Sequence, residues 1–181
     1  MNDACLDLYK SELLRWNESV NLIGPEAAAN LEGHIAEALR AAEILKPKRE
    51  VLDFGTGGGL PAIPMAIVAP EARFHLVEAD QKKWAFLKHI VRECRLNSVV
   101  YGDRLARVLT RFPPELRFSL VTSRGVGNPE EWLPSLVPFM EADGRVALFQ
   151  GKSEAEMHHF RKLDAIKLER GFLVTFHVEH P

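Results

Sequence analysis

Apolar positions recur at near-helical spacing over residues 3–17, at Leu6, Tyr9, Leu13, Leu14 and Trp16, and predict an amphipathic helix that stops within 17–21. After Gly24-Pro25 the same period runs through Ala28, Leu31, Ile35, Leu39, Ala42 and Leu45, and Pro25 suits a first helical turn. From Val51 the period changes. Short apolar runs at 51–54, 73–77, 99–101, 118–123 and 145–149 read as strands, separated by helical patterns at 60–69, 81–96, 104–109 and 129–139. In the second of those strand-to-strand units Trp84, Leu87, Ile90, Val91 and Cys94 mark the inward face of helix 81–96. Asp143-Gly144 reads as a turn, 153–163 as a polar helix, and 165–170 with 173–178 as a closing hairpin. Strands alternating with helices predict an α/β fold with a largely parallel sheet. A parallel sheet ending in an antiparallel hairpin is similar to the class I, Rossmann-like architecture of S-adenosylmethionine-dependent methyltransferases, which is the fold expected here. It carries an N-terminal helical cap.

The chemistry concentrates where the first strand ends. Val51-Leu-Asp53-Phe-Gly55-Thr-Gly57-Gly58-Gly59-Leu60-Pro61 is a strand, a glycine turn and a helix start, a nucleotide-type cradle in which Gly55 and Gly57 allow positive φ and close ligand approach. The dinucleotide pattern would put glycine where Leu60 stands. Asp53 would repel a pyrophosphate but suits a ligand with an ammonium group, as S-adenosylmethionine has. Glu78 closes the second strand about 20 residues beyond the glycines, where an acid accepts hydrogen bonds from ribose hydroxyls.

Composition narrows this further. At 181 residues, 46% hydrophobic and 27% charged, the chain is most simply one methyltransferase domain (1–181), its cap at 1–46 and its core at 50–181. With 23 basic and 25 acidic residues and a net charge of −2, any polyanion must meet a local patch. Candidate patches are Lys88, Arg92 and Arg95 along one helix, and Arg104, Arg107 and Arg111 beyond it. Cys5 and Cys94 have no metal-ligand spacing and suggest no disulfide framework; His158-His159, His177 and His180 lack supporting acids or thiols, so no metal is expected. No apolar run approaches the roughly 18 residues of a membrane span, and the first residues lack signal-peptide character. The expectation is a cytoplasmic monomer without membrane contact.

Four segments carry a resemblance: Trp16-Asn17-Glu-Ser-Val-Asn21-Leu22-Ile23, Asp53 through Met65, Glu78-Ala-Asp-Gln-Lys82-Lys83-Trp-Ala-Phe86-Leu87, and Ser123-Arg124-Gly125. In this order they are similar to the bacterial 16S ribosomal RNA (guanine-N7) methyltransferases of the RsmG, or glucose-inhibited-division B, type, over nearly the whole chain. The resemblance implies methyl transfer from S-adenosylmethionine to N7 of a guanine in 16S RNA, free or in the small ribosomal subunit. It implies cofactor contacts at Gly55, Leu60, Glu78, Arg124 and, through backbone, Leu105 and Ala106. His34, Arg124 and Lys152 become RNA candidates. The chain departs from the family at Gly33, where a basic residue is usual, at Ala106, where a glutamate is usual, and at Gln150, where a lysine is usual. Guanine N7 has a free lone pair, so no catalytic acid or base is assigned. Two rivals stay open: a methyltransferase of this fold with a small-molecule or protein substrate, and a non-catalytic RNA- or ribosome-binding module.

Overall fold

A computed structural model describes residues 2–151, 160–169 and 171–178. The chain runs through α1 (Asn2–Asn17), α2 (Pro25–Ala29), α3 (Leu31–Leu45), β1 (Glu50–Phe54), α4 (Ala62–Val68), β2 (Arg73–Val77), α5 (Gln81–Glu93), β3 (Ser98–Tyr101), α6 (Leu105–Leu109), β4 (Phe118–Arg124), α7 (Pro129–Trp132), β5 (Met140–Gln150), β6 (Phe160–Lys167) and β7 (Phe172–Val178). Seven strands form one sheet in the order β3-β2-β1-β4-β5-β7-β6. β1 to β5 are parallel, and β7 returns antiparallel between β5 and β6.

Both faces of the central strands β1, β2 and β4 are covered, which is why they read as mainly apolar runs rather than as strict alternation. Side chains alternate between the faces. Val51, Phe74 and Leu76 meet Tyr9, Ile35, Leu45 and Ile63 from the helices on one side, while Leu52, Val77 and Val121 meet Val108, Leu133 and Leu136 on the other. β1 lies between β2 and β4, so the connections leaving β1 and β4 diverge at their carboxyl ends. Open α/β sheets bind ligands at such a switch point.

Several elements differ from the sequence reading. The helix read over 25–45 breaks at Asn30 (φ −123°, ψ 38°), whose side chain folds to within 2.6 Å of where a Cβ on Gly33 would stand. A larger residue at 33 would close that space. The helix read over 129–139 is one α-turn followed by a 3₁₀ stretch, Leu133–Phe139, because Pro134 and Pro138 supply no N–H. Asp143-Gly144 is no chain reversal: β5 runs through it. Between Phe118↔Met140 and Leu120↔Arg145, β4 advances two residues and β5 five, so the extra residues form a bulge. At 160–163 the chain is strand rather than helix; it belongs to the edge strand β6, whose mostly exposed side chains give no alternating signal. The remainder of that helix reading, 153–159, lies outside the described residues, as do Lys152, His158, His159 and His180. α5 ends at Glu93, short of Leu96, with Cys94 as its C-cap; it buries Phe86, Leu87 and Ile90, while Trp84, Val91 and Cys94 of the face read from its period are half-buried.

Candidate functional site

The glycine turn leaves β1 with its backbone held on three sides. The N–H groups of Gly55 and Thr56 donate to the Val77 carbonyl at 3.0 and 3.2 Å, and Thr56 Oγ1 donates to the Asp53 carbonyl at 3.1 Å. Gly55 sits at φ 70°, and a Cβ there would lie 2.1 Å from Val126 Cγ2, so the turn and the loop after β4 close on each other. From the cap, buried Tyr9 donates its hydroxyl to the Gly58 carbonyl at 2.8 Å. Asn17 Oδ1 accepts the N–H groups of Leu22 and Ile23 at 2.8 and 3.0 Å, and this local fold presses Ile23 to 2.9 Å of where a Gly58 Cβ would be. The Trp-Asn segment therefore shapes the wall over the turn.

Glu78 crosses from β2 to the same turn. One carboxylate oxygen accepts the Gly57 N–H and the other the Asp80 N–H, each at 2.8 Å. Two backbone donors fix its orientation and leave lone pairs for a ligand. Asp80 caps α5 by accepting the N–H groups of Lys82 and Lys83, and its carboxyl is held below the usual range by those bonds.

Asp53 lies beneath the turn, 1% exposed, accepting from Thr122 Oγ1 at 2.6 Å. Burial pushes its carboxyl up to about 7, opposed by the Thr122 and Thr56 bonds and helped by the charge of Glu78. The folded value exceeds the unfolded one, so Asp53 stabilises the fold fully below about pH 4 and loses that contribution as pH rises through 7. Unfolding free energy is expected to drop by roughly 2–3 kcal/mol between pH 5 and 8 on this account. Asp53→Asn, compared with wild type by denaturant titration at both pH values, should lose that part of the slope.

Arg124 ends β4. Its Nη2 donates to Glu37 Oε2 at 2.9 Å and lies 2.6 Å from His34 Nδ1, the latter contact requiring the imidazole proton on Nε2 if the nitrogen accepts. The guanidinium stands 5.7 Å from the Phe149 ring centroid, and Nη1 is buried without a hydrogen-bond partner among the described residues. His34 and Glu37 are three apart on α3, hence on one face, and the Glu37 carboxylate is 4% exposed.

These groups surround a cavity of about 630 Å³, floored by the glycine turn and Leu60 and walled by Glu78, Arg124, Val126, His34 and Ile23. Small-ligand sites have this size. A floor without side chains, a carboxylate with spare lone pairs and a guanidinium nitrogen without a partner fit a nucleoside with a charged amino-acid tail. Of the residues read from sequence, Gly55, Gly57, Leu60, Glu78, Arg124 and His34 come together here. Asp53 supports the floor from below. Leu105 is buried and Ala106 exposed on α6, and neither lines the cavity. Lys88 lies over the Trp84 ring at 4.5 Å, Arg92 pairs with Glu93, and Arg95 lines a separate groove. Arg107 and Arg111 pair with Asp103. Among the described residues no group of three or more His, Cys, Asp or Glu side chains could hold a metal ion, and no helix is long and apolar enough to cross a membrane.

Sequence reasoning missed Tyr9, Thr122 and Lys83, which also lines the cavity. It gave Glu37 no role. The i,i+3 spacing of His34 and Glu37 was the available signal; nothing local marks the partners of Tyr9 or Thr122.

The profile of a family described as GidB, rRNA small subunit methyltransferase G, matches residues 2–179. A ribosomal RNA small subunit methyltransferase G from Helicobacter bizzozeronii is 32% identical over 149 residues, covering 82% of each chain. Its counterpart from Magnetococcus marinus is 34% identical over 186 residues, covering 98% of this chain and 82% of that one. Among solved structures, a SAM dependent methyltransferase from Aquifex aeolicus superposes with a TM-score of 0.62 at 13% identity, covering 86% of this chain and 98% of that one. P. horikoshii TYW2 in complex with MeSAdo gives 0.62 at 16% identity, covering 87% and 65%. These two share the fold.

Proposed function

The chain belongs to the GidB family of small-subunit ribosomal RNA methyltransferases, and on that premise we propose that it moves the methyl group of S-adenosylmethionine to N7 of a guanine in 16S ribosomal RNA. The observation that carries this reading is the convergence of the glycine turn, Glu78 and Arg124 on one cavity at the sheet's switch point. The chain works as a single methyltransferase domain, a cytoplasmic monomer whose residues 1–46 cap a core at 50–181.

S-adenosylmethionine, when bound, supplies an electrophilic methyl on a cationic sulfur. The residues of the chain position it. Gly55 and Gly57 let the backbone approach, Leu60 packs against the ligand, and Glu78 accepts from ribose hydroxyls. Arg124 holds the carboxylate of the amino-acid tail or an RNA phosphate through Nη1. Guanine N7 needs no deprotonation, so in-line placement does most of the work, an effect worth several kcal/mol of barrier. Methylation leaves the base cationic. A lone arginine beside it would oppose that charge; the Glu37 carboxylate cancels the guanidinium charge and removes the opposition.

The test is transfer of labelled methyl to 16S RNA from cells lacking this protein, offered naked and as assembled subunits, with nuclease digests searched for N7-methylguanosine. Label in that nucleoside, falling steeply as salt rises, is the expected result. Cofactor binding without label in RNA would overturn the reading and leave a small-molecule or protein substrate, or a binding module, in its place.

A further inference from the structure

The two cysteines are 89 residues apart in sequence and meet in the fold. Cys5 Sγ lies 3.7 Å from the Cys94 carbonyl oxygen, and Cys94 Sγ lies 3.6 Å from the Cys5 carbonyl oxygen, so each thiol donates to the other residue's backbone. Both are free and half-buried. We propose that Cys5 and Cys94 form a dithiol modification site, which glutathione disulfide oxidises to one cross-link between α1 and the end of α5.

The seam between these helices holds the pair in register. α1 and α5 run antiparallel, with Glu12 Oε2 2.7 Å from His89 Nε2 and the Trp16 ring stacked on His89 at 5.7 Å. Seven residues back along α1 and five onward from His89 stand Cys5 and Cys94, about 10 Å from the first tie. Packing at one end of the seam thus keeps the thiols facing at the other.

The pair is reachable. Both cysteines open on a groove of about 550 Å³ with apolar walls from Leu8, Ala66, Pro70 and Leu96. Arg95 and Asn97 line the same groove and offer donors to the carboxylates of glutathione, with Glu93 beside them. This groove is separate from the cavity over the glycine turn.

The exchange is balanced without any other reagent. The Cys5 thiolate attacks one sulfur of glutathione disulfide, forming a mixed disulfide and releasing one glutathione thiolate. The Cys94 thiolate then attacks the Cys5 sulfur, the bond to glutathione breaks, and a second glutathione leaves. The protein loses two electrons and glutathione disulfide gains them; the two thiol protons end on the two glutathiones. Burial and the neighbouring Cys5 push the Cys94 thiol up to about 12, which makes closure faster at alkaline pH and makes Cys94 a poor leaving group once bonded.

Reduced protein is incubated with glutathione disulfide, free thiols are alkylated, and the chain is weighed and melted. The expected product is monomeric, has lost the mass of two hydrogens, resists alkylation at both cysteines and melts roughly 5–15 °C higher, reversibly on reduction. Cys5→Ser and Cys94→Ser should each accept one glutathione and show no such rise. Wild type that remains alkylatable at both positions, stops at a mixed disulfide or links between chains overturns the proposal.

Discussion

Arg124→Ala is expected to lower kcat/KM for methyl transfer roughly 100- to 1,000-fold, the scale of removing one preorganised charged donor from an active site. It should also destabilise the fold by about 1–3 kcal/mol, because the buried Glu37 carboxylate would lose its 2.9 Å guanidinium donor while keeping His34 at 3.5 Å. The two effects separate in a cycle. Adding Glu37→Gln to Arg124→Ala removes the buried carboxylate charge, so the double variant should recover part of the stability and none of the transfer. Denaturant titration reads the first quantity and single-turnover methyl transfer the second. A double variant that recovered activity together with stability would show that Arg124 serves only the fold.

Glu78→Gln should weaken S-adenosylmethionine binding about 10- to 100-fold with little change in RNA affinity. An amide has one acceptor oxygen where the carboxylate has two. Either Gly57 or Asp80 would then present its N–H to an NH₂ group, at a cost of about 1–3 kcal/mol for a donor left unsatisfied. The ribose loses its charged acceptor as well. Calorimetry with the cofactor, set beside RNA binding at fixed salt, measures both sides of the expectation. Equal losses in the two affinities would point to a collapsed loop, and no loss in either would remove Glu78 from the cofactor site.

The features legible in the sequence were those written by neighbours along the chain. Strand, glycine turn and helix start at 51–68 and the acid closing β2 are local patterns, and the parallel sheet follows from their repetition. Contacts made only in the folded chain left no such trace. Tyr9 reads as one more apolar position of α1, yet its hydroxyl holds Gly58; Glu37 reads as a polar helix residue, yet it is buried against Arg124. Basic spacing showed where the cations lie but not what they face: Asp103 takes Arg107 and Arg111, and Glu93 takes Arg92. The helix breaks at Asn30, whose side chain lies against Gly33, and β5 extends through Asp143-Gly144 with a bulge against β4, neither of which local pattern marks. Turn and helix propensities are weak beside such tertiary constraints.

The central claim is that the cavity over the glycine turn is the cofactor site, and amide hydrogen exchange with and without S-adenosylmethionine tests it most directly. The account predicts slowed exchange at residues 55–60, 78–80 and 124–127, which surround that cavity, and none in the groove beside Cys94. Protection confined to other segments, or absent at saturating cofactor, would contradict it.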